Sequence, residues 1–332
     1  RDSSVTGVQT CALPIYNGKW PENYLNARTE IAWQIALNAE HFTITNFKSV
    51  KNYDHVFIIF PKGEVYLNAF ASKLSNKINP VSNLLKQNIV QVLKENGNKK
   101  IHYIQEGPHW LWNDYEIEDQ IYFYNFLAQC DSIFAHNESD ISYYKGLFPT
   151  KQINTISTLM VDQLIKDIAP NKNDKTIIGG NFARWYGGFE SYLVAQEFGT
   201  PIWAQTSHAK RDNEEQIENL QHLPRLIWID WMKELSTFKY AVHLMPTVAA
   251  GTFSLNCAYF GIPCIGNEKV DTQRICHPHL SVDISDVESA RNLAIKLKYD
   301  KEFYNECSLN AKENYYKNYN INIWKEKILN VL

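Results

Sequence analysis

An excess of positive charge is absent from this sequence of 332 residues, in which 33 Lys and Arg residues stand against 36 Asp and Glu residues. We therefore expect no nucleic acid to be held by bulk electrostatic attraction. No run of 18 apolar residues occurs either, so no transmembrane segment is predicted, although peripheral membrane contact stays open. The remaining composition is that of a globular chain long enough for about two domains.

Cysteine is also sparse, and its spacing carries no signature. The six cysteines include no C-x-x-C pair, which argues against a disulfide framework and against a zinc site. Reduced thiols are typical of a cytoplasmic protein, which is the localisation that we expect. His277 and His279 flank a proline without Cys or carboxylate partners at ligand spacing, so we predict no metal site. Neither a Walker motif nor G-x-G-x-x-G is present.

Residues 1–15 differ in character from the rest of the chain. They read RDSSVTGVQTCALPI and have neither helical nor strand periodicity. Val5–Ile15 is similar to the translation of a common sequencing adapter, so we interpret residues 1–15 as a non-native leader and exclude them from the predicted fold. On this interpretation the native start, and with it a first strand, is expected to be missing.

Beyond residue 15, short apolar runs alternate with segments of helical periodicity. His55–Phe60, Ile101–Gln105 and Ser132–Ala135 are typical of buried parallel strands, with helices predicted between them. A second alternation of the same kind follows the polar stretch Asp167–Lys175, which we interpret as a linker. The pattern predicts an α/β fold of two tandem Rossmann-like, doubly wound domains with a cleft between them, where ligands bind.

The most informative segment is Val242–Asn267, which reads VHLMPTVAAGTFSLNCAYFGIPCIGN. A strand is predicted to end at Pro246, a loop of small residues follows, and a helix begins near Ser254. Backbone N–H groups at a helix start bind anions, and Gly251 permits close approach of a ligand. The pattern suits a nucleotide diphosphate, but it also suits a plain strand-to-helix turn. The candidate binding residues here are Thr247, Gly251, Thr252, Phe253 and Ser254.

The same segment resembles the nucleotide-sugar-binding region of group 1-like GT-B glycosyltransferases. Their pattern runs from a strand through Pro-Ser or Pro-Thr and a small loop into a helix, and then to small-Gly-x-Pro-Val-Ile. Leu255–Ile265 has this layout, and the resemblance extends over most of residues 16–332. It implies sugar transfer from a nucleotide-diphosphate donor to a hydroxyl acceptor such as a glycan, in polysaccharide biosynthesis for example. It also implies GT-B architecture, no tightly bound cofactor and no essential metal.

The resemblance also assigns roles to the predicted domains. An acceptor-side domain covers residues 16–168 and a nucleotide-sugar-binding domain covers residues 169–315, while a helix in residues 316–332 is expected to pack back toward the first domain. Within the second domain we predict a helix over Asp212–Leu220 and a strand over Leu226–Ile229.

One departure from the family pattern concerns catalysis. Retaining members carry a Glu-x7-Glu pair in the loop and helix, and the matching positions here are Val248 and Asn256. Asn256 can still hydrogen-bond a ribose hydroxyl. The departure leaves the stereochemical course open, and it leaves open a non-catalytic protein that binds nucleotide or glycan. A nucleotide-sugar epimerase, which uses a similar two-domain architecture, is the remaining alternative.

Further donor-site candidates follow other strands of the second domain. Arg184 is the remaining cation where the family places basic residues against the diphosphate. Arg274 is a second phosphate or sugar candidate, with Asp271 to orient it. Asp230 and Trp231 are predicted to end a strand where the family binds its nucleobase, and Trp231 is expected to stack on the base. The alternatives are a surface arginine, an Asp–Arg capping pair and a buried tryptophan.

Candidates for a general base lie in the first domain. Inverting transfer needs a group that takes the proton of the acceptor hydroxyl. Glu106 follows the strand Ile101–Gln105, and His109 is close by in sequence. His136 and Glu138 follow the next predicted strand and face the same side by the same logic. The alternative for Glu106 is a carboxylate that only bonds the backbone of its own turn.

Overall fold

The computed structural model describes two compact units. Its described residues are 10–14, 29–42, 47–60, 86–156, 158–180, 182, 185–205 and 213–332. The first unit holds the described residues up to Ile156 together with Lys325–Leu332, and the second unit holds residues 158–324. Among the described residues, no helix combines the length and the apolar character that crossing a bilayer requires.

The first unit contains a parallel sheet in the order β2–β1–β3–β4–β5–β6. Its strands are β1 (Thr10–Pro14), β2 (Glu40–His41), β3 (His55–Ile59), β4 (Lys100–Ile104), β5 (Ser132–Ala135) and β6 (Gln152–Thr155). Its helices are α1 (Thr29–Leu37), α2 (Ile89–Glu95), α3 (Ile117–Gln129) and α4 (Glu138–Leu147). The inner strands are continuous apolar runs because helices cover the sheet, and Val56–Ile59 are almost completely buried.

The prediction that residues 1–15 add no strand is wrong for Thr10–Pro14. These five residues form β1, which lies between β2 and β3 and pairs in parallel with His55–Ile59. A strand between two neighbours is held by backbone N–H and C=O groups, so it needs no alternating side-chain pattern. The interpretation of the segment as a non-native leader concerns its origin and stays a prediction.

The second unit contains a parallel sheet in the order β12–β11–β10–β7–β8–β9. Its strands are β7 (Asn173–Ile178), β8 (Ile202–Gln205), β9 (Leu220–Leu223), β10 (Phe238–His243), β11 (Cys264–Asn267) and β12 (Ser281–Val282). Its helices are α5 (Gly188–Ala195), α6 (Trp228–Leu235), α7 (Thr252–Tyr259), α8 (Asp271–Cys276), α9 (Val287–Tyr299) and α10 (Lys301–Asn318). The last helix, α11 (Ile321–Leu329), begins in the second unit and ends in the first. This strand order is that of a doubly wound Rossmann domain, so the predicted fold class is confirmed.

Two predicted elements of the second unit are wrong. The predicted strand Leu226–Ile229 overlaps helix α6, which buries residues at the helical spacing i, i+3, i+4 and i+7: Trp228, Trp231, Met232 and Leu235. In place of a helix over Asp212–Leu220, the described part of that segment holds a short 3-10 turn, Glu214–Gln216, followed by the edge strand β9. A short β-branched and aromatic run does not distinguish a strand from a buried helix turn, which accounts for the error over Leu226–Ile229.

Candidate functional site

The second unit has a topological switch point between β7 and β10. Strand order reverses there, and ligands of doubly wound sheets bind beyond the carboxyl ends of such strands. The chain that leaves β7 enters helix α5, and the chain that leaves β10 enters helix α7. Two helix N-termini therefore lie at the position where this topology binds ligands, and each offers first-turn N–H groups and a positive dipole end to an anion.

Both helices are entered through a glycine in the left-handed region. Gly187, before α5, has φ 61°, and Gly251, before α7, has φ 67°. A Cβ would overlap the carbonyl oxygen of Leu244 at Gly187 and the hydroxyl of Thr272 at Gly251. Glycine is required at both positions because the backbone conformation and the free space each exclude a side chain.

Two hydroxyl groups hold the start of α7 in place. Ser254 Oγ lies 3.0 Å from the Gly251 carbonyl oxygen and 2.8 Å from Thr272 Oγ1, and Thr272 Oγ1 donates to the same carbonyl at 2.8 Å. Both side chains are buried. The Ser254 hydroxyl therefore anchors the glycine turn, and its role as a donor to a diphosphate stays a prediction.

His277 hydrogen-bonds to the first turn of α7. Its Nε2 lies 3.0 Å from the Ser254 carbonyl oxygen, which assigns the Nε2–H tautomer as donor. Burial lowers the pKa of His277 to about 4, so the ring is neutral near pH 7. His279 is exposed and pairs instead with Glu306 at 3.5 Å. Among the described residues, no group of three or more His, Cys, Asp or Glu side chains is arranged to hold a metal ion.

Asn256 and Trp231 contact each other. In the amide orientation that satisfies both groups, Asn256 Oδ1 accepts from the Trp231 indole N–H at 3.0 Å. Trp231 lies within α6 and is 1% exposed, so the prediction that Trp231 ends a strand is wrong. Its ring packs near Phe253 and is almost completely buried. Asn256 is buried as well, and its amide contacts Trp231. Stacking of Trp231 on a nucleobase and a hydrogen bond from Asn256 to a ribose stay predictions.

Asp271 and Arg274 form an ion pair beside the α7 start. Asp271 is the first residue of α8, and its neighbours Val270 and Thr272 both adjoin Gly251. Arg274 Nη2 lies 3.1 Å from Asp271 Oδ1, with the arginine side chain 47% exposed and the aspartate 11% exposed. The aspartate therefore orients a guanidinium that stays accessible. The ion pair agrees with the capping interpretation, and the exposure of the guanidinium agrees with the binding interpretation.

The other donor-site candidates have less distinctive surroundings. Thr252 Oγ1 lies 3.3 Å from Thr158 Oγ1, and Thr247 is half-buried in the loop. Phe253 is buried edge-on against His243, a residue that the sequence reasoning missed. Burial lowers the pKa of His243 to about 4. Arg184 lies outside the described residues.

In the first unit, His109 pairs with a buried carboxylate. His109 Nδ1 lies 2.9 Å from Asp140 Oδ1, and the other oxygen of Asp140 accepts from the Asn137 amide at 3.1 Å. Asp140 is fully buried, whereas the His109 side chain is 30% exposed and stacks on Tyr143. The sequence reasoning missed Asp140 because it lies 31 positions from His109. The available signal was that Asp140 lies in the first turn of α4, which directly follows β5.

The remaining base candidates are on the same two loops. Glu106 follows β4 and is half-buried. His136 follows β5 and is buried, while Glu138 is the exposed first residue of α4. Of the four candidates, His109 has the geometry of a general base, because an imidazole that donates Nδ1–H to a carboxylate keeps Nε2 as an acceptor.

Comparison with known proteins rests on structure alone. The chain matches no protein-family model and no curated protein. Sucrose-phosphate synthase from Thermosynechococcus elongatus superposes with a TM-score of 0.66 at 11% identity, covering 97% of this chain and 98% of the synthase. An α-glucosyltransferase in complex with UDP and a 13-mer DNA superposes with a TM-score of 0.65 at 11% identity. The match covers 98% of this chain and 99% of the α-glucosyltransferase. HepE of Anabaena, in complex with UDP and glucose, superposes with a TM-score of 0.64 at 8% identity. The match covers 98% of this chain and 99% of HepE.

The chain has the GT-B fold. The resemblance read from Val242–Asn267 is therefore confirmed at the level of fold. Within this GT-B chain, the glycine turn, the α7 start and the Asp271–Arg274 pair are brought together at the switch point. One GT-B neighbour carries DNA, so the expectation that this chain takes no nucleic acid stays a prediction.

Proposed function

We propose that this GT-B protein is a glycosyltransferase that moves a sugar from a nucleotide-diphosphate donor to a hydroxyl acceptor. The observation that carries the proposal is the pair of helix N-termini at the switch point, each entered through a left-handed glycine. Such an arrangement suits a diphosphate. The neighbours solved with UDP, the α-glucosyltransferase and HepE, add support.

Departure of the nucleotide diphosphate is the step that this site would assist. The bond between the anomeric carbon and the phosphate oxygen breaks, and negative charge develops on the diphosphate. The first-turn N–H groups of α5 and α7 are already fixed in place, so they stabilise that charge without reorganisation. Arg274 and Arg184 are proposed as additional cations. Because dipoles and arginines supply the positive charge, we propose that the reaction needs no metal.

We propose His109 as the general base on the first unit. Nδ1–H donates to Asp140, so Nε2 takes the proton of the acceptor hydroxyl while the hydroxyl oxygen bonds the anomeric carbon. Asp140 then stabilises the imidazolium. This chemistry corresponds to an inverting course. Glu106, His136 and Glu138 are proposed as neighbours of the base and not as the base itself.

A non-catalytic nucleotide-binding protein is the second candidate, because Asn256 stands at a family carboxylate position and is bonded to Trp231. Thermal unfolding with UDP, GDP, ADP, TDP and CMP tests nucleotide binding first. A nucleotide at 100 times its dissociation constant adds about 2.7 kcal/mol of stability. No stabilisation by any nucleotide would reject the donor site.

Turnover then separates the candidates. With the stabilising nucleotide linked to a sugar, a glycosyltransferase forms product only when a hydroxyl acceptor is added. An epimerase converts the donor with no acceptor present, and a binding protein leaves the donor unchanged in both reactions. Loss of acceptor-dependent turnover in His109→Ala, with nucleotide stabilisation retained, is the expected result for the proposed mechanism.

A further inference from the structure

A cavity of about 260 Å³ lies in the first unit beside His109. It is bounded by α3, by α4 and by the 3-10 segment that starts at His109. Its walls include Trp112, Phe123, Tyr143 and Tyr144. None of the proposed donor chemistry uses this cavity, since the donor site belongs to the second unit.

The aromatic walls are fixed by stacking. Trp112 stacks on Phe123 with ring centroids 3.7 Å apart and planes 14° apart. Tyr143 stacks on the His109 ring at 4.2 Å. Rigid aromatic surfaces bind apolar or aromatic groups at small entropic cost, and His109 lines the same cavity.

Most of the cavity lining is apolar carbon. Besides His109, its polar lining groups are the side chains of Asn113 and Gln120 and the hydroxyl groups of three tyrosines, and the Gln120 amide already donates to the Tyr115 carbonyl at 2.8 Å. A sugar placed here would set hydroxyl groups against this apolar surface, and each hydroxyl group that stays unpaired weakens binding about five- to 150-fold. Among the lining side chains, Ile121 is 54% exposed, so an apolar group of the lining meets solvent.

We propose that this cavity binds the aromatic or apolar body of the acceptor and presents its single hydroxyl group to His109. The substrate class is then a phenol or an apolar alcohol in place of a free sugar, and this assignment rests on the proposed glycosyl transfer. The size agrees, because an apolar cavity of about 150 Å³ accommodates benzene and one of 260 Å³ accommodates a fused bicyclic ring.

Direct binding of 7-hydroxycoumarin to the full chain, without any donor, tests the cavity. Two isoleucines of α3 provide matched variants: Ile121 lines the cavity, while Ile117 is 69% exposed and lies outside it. We expect binding with a dissociation constant below about 1 mM, weakened at least tenfold by Ile121→Arg and unchanged by Ile117→Arg. Equal binding by both variants, or no binding by the unaltered chain, would overturn the assignment.

Competition and donor assays separate this inference from the proposed function. We expect 7-methoxycoumarin to compete for the cavity but to accept no sugar, and glucose not to compete. Competition by glucose would overturn the apolar substrate class. If 7-hydroxycoumarin binds with the expected variant pattern and no nucleotide stabilises the chain, glycosyl transfer fails while the cavity remains a ligand site. If transfer to sugars proceeds and 7-hydroxycoumarin does not bind, the cavity assignment fails alone.

Discussion

The candidate site of the second unit consists mainly of backbone groups, whereas that of the first unit consists of side chains. In the second unit the site is mainly backbone, with two helix starts entered through left-handed glycines and the turn at Gly251 held by Ser254 and Thr272. In the first unit it consists of side chains, namely the His109–Asp140 pair and the aromatic walls beside it. Apart from its two glycines and the hydroxyl groups that hold the turn, a site made of backbone groups depends little on which side chains stand in the sequence.

This difference indicates where specificity resides. Helix dipoles and N–H groups recognise a diphosphate whatever sugar or base it carries. If the proposed function is correct, the side chains around His109 would distinguish one acceptor from another, because each substitution changes their shape and polarity. Changes in the first unit should therefore alter the acceptor or the rate, while changes at the glycine turns should alter donor binding and stability together.

The largest effect is expected for Asp140→Asn. The amide can donate to His109 Nδ1 and favour the wrong imidazole tautomer, so the rate of transfer should fall about 100- to 10,000-fold. Nucleotide-induced thermal stabilisation should be unchanged, because the donor site belongs to the other unit. Initial rates provide the measurement, and retained nucleotide-induced stabilisation separates loss of the His109–Asp140 pair from a general structural defect.

Asp119→Asn is the matched control for Asp140→Asn. Asp119 lies in the first turn of α3, as Asp140 lies in the first turn of α4. Asp119 belongs neither to the cavity lining nor to the His109–Asp140 pair. An unchanged rate of transfer in Asp140→Asn, or an equal loss of rate in Asp119→Asn, would contradict a role for the His109–Asp140 pair in the mechanism.

Gly251→Ala should have the next largest effect. The new Cβ would overlap Thr272 Oγ1 in a backbone conformation that alanine rarely adopts, so we expect a loss of about 2–4 kcal/mol in the free energy of unfolding. Nucleotide-induced stabilisation should disappear as well. Gly146→Ala is the control, because its Cβ meets nothing within 4 Å, and alanine there should add about 0.5–1 kcal/mol. Denaturant unfolding with and without nucleotide distinguishes the two variants.

The sequence predicted the backbone site better than the side-chain site. Short apolar runs located β3, β4 and β5 to within a residue at either end, because central parallel strands are buried on both faces. The glycine before α7 and the helix start were also predicted, since turn chemistry is local. Local patterns could not pair His109 with Asp140, because only the fold brings the β4 and β5 loops together.

The error over Leu226–Ile229 has a local cause. Trp228–Leu235 combines β-branched and aromatic residues with helical spacing, so a four-residue window indicates a strand where eight residues indicate a helix. The orientation of the Ser254 hydroxyl could not be predicted, because a hydroxyl at a helix start can face a ligand or its own turn. It depends on the position of Thr272 beside it, which only the fold provides.

His277 should make stability depend on pH. Its folded-state pKa is about 4 and its ordinary value is 6.5, so above pH 6.5 both folded and unfolded chains are neutral at this ring and stability is full. As pH falls below 6.5, this ring becomes protonated in the unfolded chain and stays neutral in the folded chain. The free energy of unfolding therefore falls by up to about 1.4 kcal/mol per pH unit until about pH 4. His277→Gln should flatten the measured slope, whereas His279→Gln, at an exposed ring, should not. Equal slopes in all three proteins would contradict the assignment.

Arg274→Ala should have the smallest effect of the four. Its guanidinium is half exposed and held by Asp271, so solvent screening limits its contribution to nucleotide binding to about 1 kcal/mol, or roughly fivefold in affinity. Arg291, which pairs with Glu197 and is also exposed, is the matched control, and Arg291→Ala should leave affinity unchanged. Calorimetry with the stabilising nucleotide measures both. If Arg274→Ala also leaves affinity unchanged, the Asp271–Arg274 pair only caps α8, and the diphosphate is held by backbone N–H groups without this arginine.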